Sequence, residues 1–309
     1  MTEAGPNVIG ADGAAAADAG YDHEWFGFEP VVDRPVQVWP GSARSAVSVV
    51  VHLGAVEWED EDQAQRPRAV GGRGIAPAPD VPRLSNREFG HRVGAARLAG
   101  QLDEHGIVPA VVVDVLTAER YPGLLEHLPS SEYLAGGLSA SRPITSDMSE
   151  DEEADYIGLT LERLEAALGH RPAGWCSPER SESARTPGLL AVAGVSYLTD
   201  WVNDDMPYSF ADTAPGLWSF PLSWELSDEA TGFHRAMEPA TWARSVGAAL
   251  EQMAGEGGRV LGLSLTPWVS GQAFRAPAVD TVLGFISAME NIWVAPPGAV
   301  IEYCRGEAR

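Results

Sequence analysis

Cysteine is scarce, acidic charge outweighs basic, and no long apolar run occurs. With only Cys176 and Cys304, a disulfide framework is excluded, and no Cys/His spacing resembles a structural zinc site. Twenty-one basic residues face 44 acidic ones, a formal net charge of −23, and no Lys/Arg block stands out. That balance argues against a surface that tracks nucleic-acid phosphates and against an anionic membrane face. No stretch approaches the roughly 18 apolar residues needed to span a bilayer. The N-terminus lacks the basic n-region and apolar core of a secretory signal. A cytoplasmic protein with no nucleic-acid or membrane partner is expected, its carboxylates serving solubility.

What is present suffices for a large core. Of 309 residues, 45% are apolar and ten are Trp, which separates the chain from disordered acidic sequences. The length allows two domains, but α/β barrels of about 250 residues form one. Residues 1–35, Ala/Gly/Asp-rich at the start, read as a flexible tail and lead-in, and 36–309 as one domain. Strands are expected at Ala46–Leu53, Ile107–Val115, Gly174–Ser177, Val195–Thr199, Trp218–Leu222, Val260–Leu265 and Ile292–Val294. Helices are expected at Arg87–His105, Ala118–Leu128, Ser146–Gly169, Thr186–Ala193, Ala240–Ala254 and Val279–Met289. Ser146 or Asp147 would cap the third of these, and Gly169 would close it. Residues 60–84 read as a long loop. Repeated β–α units in this order give one α/β domain, a barrel or a doubly wound sheet.

In a barrel, reactive groups project from the C-terminal ends of the strands. Those ends carry His52, Asp114, Gly136–Gly137, Ser177–Arg180, Asp200–Trp201, Ser223–Glu225 and Thr266–Trp268. An imidazole titrates near ~6.5, so His52 suits proton transfer, or else it is a structural histidine beneath the pocket. Glu57 and Glu59 share one face if extended and could divide acid and base roles, or form a solvated acidic loop. Arg180 can clamp a carboxylate or imide oxygen, or pair with Glu179 at the surface. Asp200 ends a strand, and Trp201 offers a flat wall with one N–H donor. Asp204 and Asp205 either join them or cap a turn. Gln272 and Arg275 bind substrate or stitch down a loop. His91 has a route to a pocket or a subunit interface.

The blocks REFGHRVG (87–94), SRPITSDMSEDEE (141–153), RPAGWCSPERSESARTPGLLAVAGVSYLTDWVNDDMPY (171–208) and LTPWVSGQAFR (265–275) resemble the polysaccharide-deacetylase superfamily. More narrowly they are similar to its cytoplasmic branch, which includes metal-independent allantoinases. The resemblance implies a distorted (β/α) barrel, a homo-oligomer, and action on amide-type C–N bonds of a small-molecule substrate. Secreted members end their first strand in Asp-Asp-Gly, where this chain has His52–Leu53–Gly54. Their paired histidine ligands fall at or near Gly136 and Ala140, and the histidine of their Leu-His-Pro motif is Thr266. The family's metal site is therefore expected to be missing, and no cofactor is implied.

On this resemblance the catalytic candidates are His52, Glu57 and Asp200. The substrate-binding candidates are Glu59, Glu179, Arg180, Trp201, Glu225, Thr266, Trp268 and Arg275. They are expected to form a carboxylate-rich pocket without metal. Two functions stay open: a metal-independent enzyme acting at a carbonyl or C–N bond of a ureide, imide or related metabolite, hydrolytic or drifted to cyclisation or elimination in biosynthesis, and a pseudo-deacetylase that binds a ligand or protein partner without turnover.

Overall fold

The strand β1 (Ser45–Leu53) is buried on both faces. In the computed structural model, which describes residues 23–58 and 79–306, Val47, Val49, Val51 and Leu53 join the core beneath the helices. The alternate residues Ala46 and Val50 join a smaller core inside the sheet. A strand packed on both faces reads as a continuous apolar run, which is why no polar alternation marks it.

The other strands are β2 (Ala110–Val113), β3 (Glu132–Ala135), β4 (Gly174–Trp175), β5 (Tyr197–Leu198), β6 (Tyr208–Ser209), β7 (Trp218–Ser219), β8 (Arg259–Leu265) and β9 (Ile292–Val294). Their order is β6-β7-β5-β4-β3-β2-β1-β8, with β9 beside the first residues of β1. Every pairing is parallel except β6–β7. The curl closes through a parallel bridge between Leu222 and Gly262, with the Ser223 N–H donating to the Gly262 carbonyl at 2.9 Å. The result is the expected distorted (β/α) barrel. Trp39, Trp293 and Tyr303 stack near the start of β1.

Around it pack α1 (Val81–Phe89), α2 (Ala95–Glu104), α3 (Val115–Arg120), α4 (Pro122–His127), α5 (Glu150–Leu168), α6 (Thr186–Val192), α7 (Pro239–Glu256), α8 (Pro267–Ser270), α9 (Ala276–Ala288) and α10 (Pro297–Cys304). The cap of α5 is Ser149, a correction of the expected Ser146 or Asp147. Its side chain accepts from the Glu152 N–H while the Glu152 carboxylate accepts from the Ser149 N–H. The helix expected over Arg87–His105 starts earlier and is split by a wide turn at Gly90–Gly94. A Cβ at Gly94 would stand 2.1 Å from the Pro267 carbonyl oxygen, so these glycines let the turn lie against α8. The strand expected over Ile107–Val115 is shorter because Asp114 leaves it to cap α3. α8 and α10 were not foreseen.

The tail expected to be flexible lies, for residues 1–22, outside the described residues. Part of the lead-in beyond it is packed. Trp25 and Phe26 meet Trp201 edge-on at centroid distances of 5.2 and 5.5 Å, and the Ala211 N–H donates to the Trp25 carbonyl at 2.7 Å.

The barrel seam requires a glycine. A Cβ on Gly262 would lie 2.5 Å from the Pro221 carbonyl oxygen and 2.8 Å from Leu222 Cα, whereas one on Gly158 in α5 meets nothing within 4 Å. Gly262→Ala should lower stability by about 2 kcal/mol or more. Gly158→Ala should raise it by about 0.5–1 kcal/mol. Urea unfolding checks both, and equal effects at the two sites would refute the tight seam.

Candidate functional site

The C-terminal ends of the strands surround a cavity of about 920 Å³. Strand alternation places His52 on its inner wall, because Leu53 and Val51 turn outward to the helices. The half-buried His52 ring contacts Ser264 of β8, with Nε2 to Oγ at 2.5 Å. Burial first, then the charges of Arg180 and Arg87, push its pKa down to about 3. The imidazole is therefore neutral near pH 7.

Asp114 joins two loops to its own helix α3. Its Oδ1 accepts from the Thr117 N–H at 2.7 Å, and its Oδ2 accepts from Ala55 and Ala140 N–H groups at 2.8 and 2.9 Å. Burial raises its carboxyl to about 7, against the pull of those donors. On the opposite side Asp228 holds the late motif. It accepts from the Thr266 N–H at 2.7 Å, the Thr266 hydroxyl at 2.5 Å and the Ser270 hydroxyl at 2.6 Å. Thr266 is thus tied into the frame. Cys176 lines the cavity as a thiol, its pKa raised by burial to about 12.

The cavity's cations are Arg83, Arg87 and Arg180. Arg87 pairs with Glu229 at 3.1 Å and stacks on Trp268 at 4.1 Å. Arg83 meets Glu179 at 3.7 Å. Arg180 donates to the Leu222 carbonyl at 2.7 Å and lies 5.3 Å from the Trp224 ring centroid. Glu179 and Arg180 have φ of 57° and 52°, consecutive left-handed conformations that are costly without glycine and cluster at functional sites. With Asp114, Glu179 and Glu229 as its acids against these arginines, the cavity is not the carboxylate-rich pocket expected. Most acidic residues lie elsewhere. The chain also contains no lysine, so no Lys Schiff base is available to it.

His52, Glu179, Arg180, Thr266 and Trp268 are brought together in the cavity wall. Five other candidates are not in that wall. Glu57 is held by Arg142 at 2.7 Å and by the hydroxyls of Ser139 and Ser141. Asp200 lies behind the wall, accepting from the Ser177 N–H at 2.9 and 3.0 Å. Next to it, Trp201 donates to Glu182 at 3.0 Å, and burial raises that carboxyl well above its usual range. Glu225 is exposed and paired with Arg235. Arg275 donates to the Gly232 carbonyl at 2.7 Å. Glu59 lies outside the described residues. His91 stacks near Tyr121 at 5.2 Å.

Sequence reasoning missed Arg83, Arg87, Ser264, Phe233 and Asp228. Alternation along Val260–Leu265 could have found Ser264, since it is the polar residue among outward leucines. The arginines come from a helix that began earlier than its periodicity suggested.

A divalent metal does not fit here. Among the described residues that line the cavity at the mouth of β1–β3, the donors are His52 and Asp114, and both are already engaged. A Cβ at Gly136 would come within 3.0 Å of Val112 Cγ1 and 3.1 Å of the Val113 carbonyl oxygen, so a ligating side chain there would require the wall to shift. Among the described residues no group of three or more His, Cys, Asp or Glu could hold a metal ion.

No family model and no curated protein matches the sequence. Among solved structures, the chain is similar to a candidate polysaccharide deacetylase from Mycobacterium smegmatis, at 26% identity and TM-score 0.72, covering 89% of this chain and 94% of that one. It is similar to Puue allantoinase at 20% identity and TM-score 0.78, covering 88% and 94%. A candidate polysaccharide deacetylase from Pseudomonas aeruginosa PAO1 gives 19% and 0.77, covering 89% and 95%. The latter two likenesses show the fold alone. The chain has the barrel of the polysaccharide-deacetylase superfamily, the superfamily its sequence blocks resemble. Among the described residues, no helix is long and apolar enough to cross a membrane.

The depressed His52 pKa has a consequence for stability. Folded His52 protonates at about 3, whereas an unfolded imidazole does so near ~6.5. Unfolding therefore takes up a proton between these values. The stabilisation is complete above about pH 6.5 and is lost as pH falls toward 3. In urea unfolding from about pH 4 to 7, wild type should lose stability relative to His52→Asn as pH falls. A pH-independent difference would show that the ring is not shielded.

Proposed function

We propose that this chain is a metal-independent enzyme acting at a carbonyl or amide-type C–N bond of a small molecule. The carrying observation is the strand-end cavity, where the neutral His52–Ser264 pair and Arg180 stand in a barrel with Gly136 and Ala140 at or near the superfamily's paired histidine ligands and Thr266 at its catalytic histidine. Two similar structures, a candidate polysaccharide deacetylase and an allantoinase, support C–N bond chemistry. A ureide or imide is the substrate class this reading favours.

In this reading His52 accepts the proton of an attacking water, and Arg180 positions the substrate beside it. A base with a pKa of about 3 has little driving force against water. The reaction therefore suits an activated carbonyl, or a non-hydrolytic step such as cyclisation or elimination. Glu57, anchored by Arg142, and Asp200, behind the Ser177 loop, act here as positioning residues rather than as the base. A homo-oligomer and a cytoplasmic location go with this reading.

The second reading, a ligand-binding pseudo-deacetylase, is favoured by one feature. Thr266 is locked to Asp228, so the late motif supplies no titrating group. The test is to incubate the full chain with ureides, imides and amides in excess chelator and follow substrate loss by chromatography. Turnover should occur, and His52→Gln should reduce kcat by about 100-fold. Unchanged substrates together with a ligand-induced rise in Tm would select the binding-only reading. Full activity in His52→Gln would remove the base.

A further inference from the structure

Arg180 differs from the other cavity arginines. Arg83 and Arg87 each have a carboxylate within salt-bridge distance, Glu179 and Glu229. Among the described residues, none lies that close to Arg180. Its guanidinium spends one hydrogen bond on the Leu222 carbonyl and stacks on Trp224, which leaves part of a planar, always-charged donor fork turned to the cavity it lines. A partly buried cation with no carboxylate in salt-bridge range among the described residues, offset by the charge of Asp200 behind the wall, favours a ligand that brings the opposite charge. Its backbone is held in the left-handed region directly after Glu179, also left-handed, so the side chain is aimed by a conformation with its own cost.

We propose that the cavity takes a small organic molecule carrying a carboxylate, which Arg180 binds through charge-assisted hydrogen bonds beside the His52–Ser264 pair. The proposal rests on the C–N reading for the remainder of the substrate and adds the group by which it is held. A single guanidinium fork fits one planar carboxylate. A phosphate dianion would place a second negative charge among Glu179 and Glu229, which line the same cavity. The apolar wall, with Trp224, Phe233 and Trp268, suits an organic body rather than an inorganic anion. Binding also acts on the base. Arg180 is one of the charges that depress His52, so a carboxylate on Arg180 restores proton affinity to the imidazole when substrate is present.

The experiment uses the full chain and three matched acid–amide pairs: benzoate and benzamide, N-benzoylglycine and its amide, N-carbamoylglycine and its amide. Affinities are read by calorimetry and turnover by chromatography of the same samples. At least one acid should bind about tenfold or more tightly than its amide. Arg180→Gln should abolish that preference. Should this variant fold poorly, phenylglyoxal labelling of wild type provides the second readout, because the acid and not the amide should protect Arg180 from modification. No acid preference in any pair, or equal protection by acid and amide, overturns the proposal. Acid preference without turnover would sink the enzyme reading and leave this one standing. Turnover of the amides without acid preference would do the reverse.

Discussion

The carboxylate of Asp114 is the contact on which the site depends. It gathers N–H groups from the loops after β1 and β3 and from its own helix α3, and each of those loops contributes to the cavity. In a closed parallel barrel the strand ends diverge into irregular backbone, whose polar groups must be satisfied once buried. One buried carboxylate does this for two loops and a helix start at once. Asp228 repeats the device across the cavity by fixing Thr266 and Ser270. Between these anchors the wall has few ways to rearrange, which is how His52 and Arg180 come to face one space.

That frame also leaves the strand ends tightly packed. Thr266 is hydrogen-bonded to Asp228, and a Cβ on Gly136 would press on Val112 Cγ1 at 3.0 Å. What remains is a charge-balanced site inside a negative molecule. The net charge of −23 belongs mostly to the outer surface, while the cavity balances its carboxylates with arginines. Two of the three arginines are neutralised locally, and the contrast with Arg180 gives the site its direction.

Much of the barrel was legible in the sequence. The β-branched run of β1 marks a doubly buried strand, Gly169 marks the end of α5, and Thr186 opens α6 as expected. Strand-end positions pointed to His52, Arg180 and Thr266 before any contact was known. Errors concentrated where tertiary contact overrides a local signal. The wide turn at Gly90–Gly94 exists because α8 lies against it. The lead-in around Trp25 and Phe26 carries no periodicity, yet its rings have a place on Trp201.

The sequence by itself determined most of the β–α order and the identity of the residues at the strand ends, since these follow from periodicity, caps and alternation over short spans, while the barrel rather than a doubly wound sheet was implied by the resemblance of its blocks. Only the tertiary structure decided which of those residues share a cavity. Asp200 and Arg180 both stand at strand-end positions, but Asp200 is drawn behind the wall by the Ser177 N–H and the neighbouring Glu182, while Arg180 is turned into the cavity by two left-handed residues. Charge pairing was likewise invisible in one dimension, because Arg87 and Glu229 lie far apart in the chain and meet only when the barrel closes.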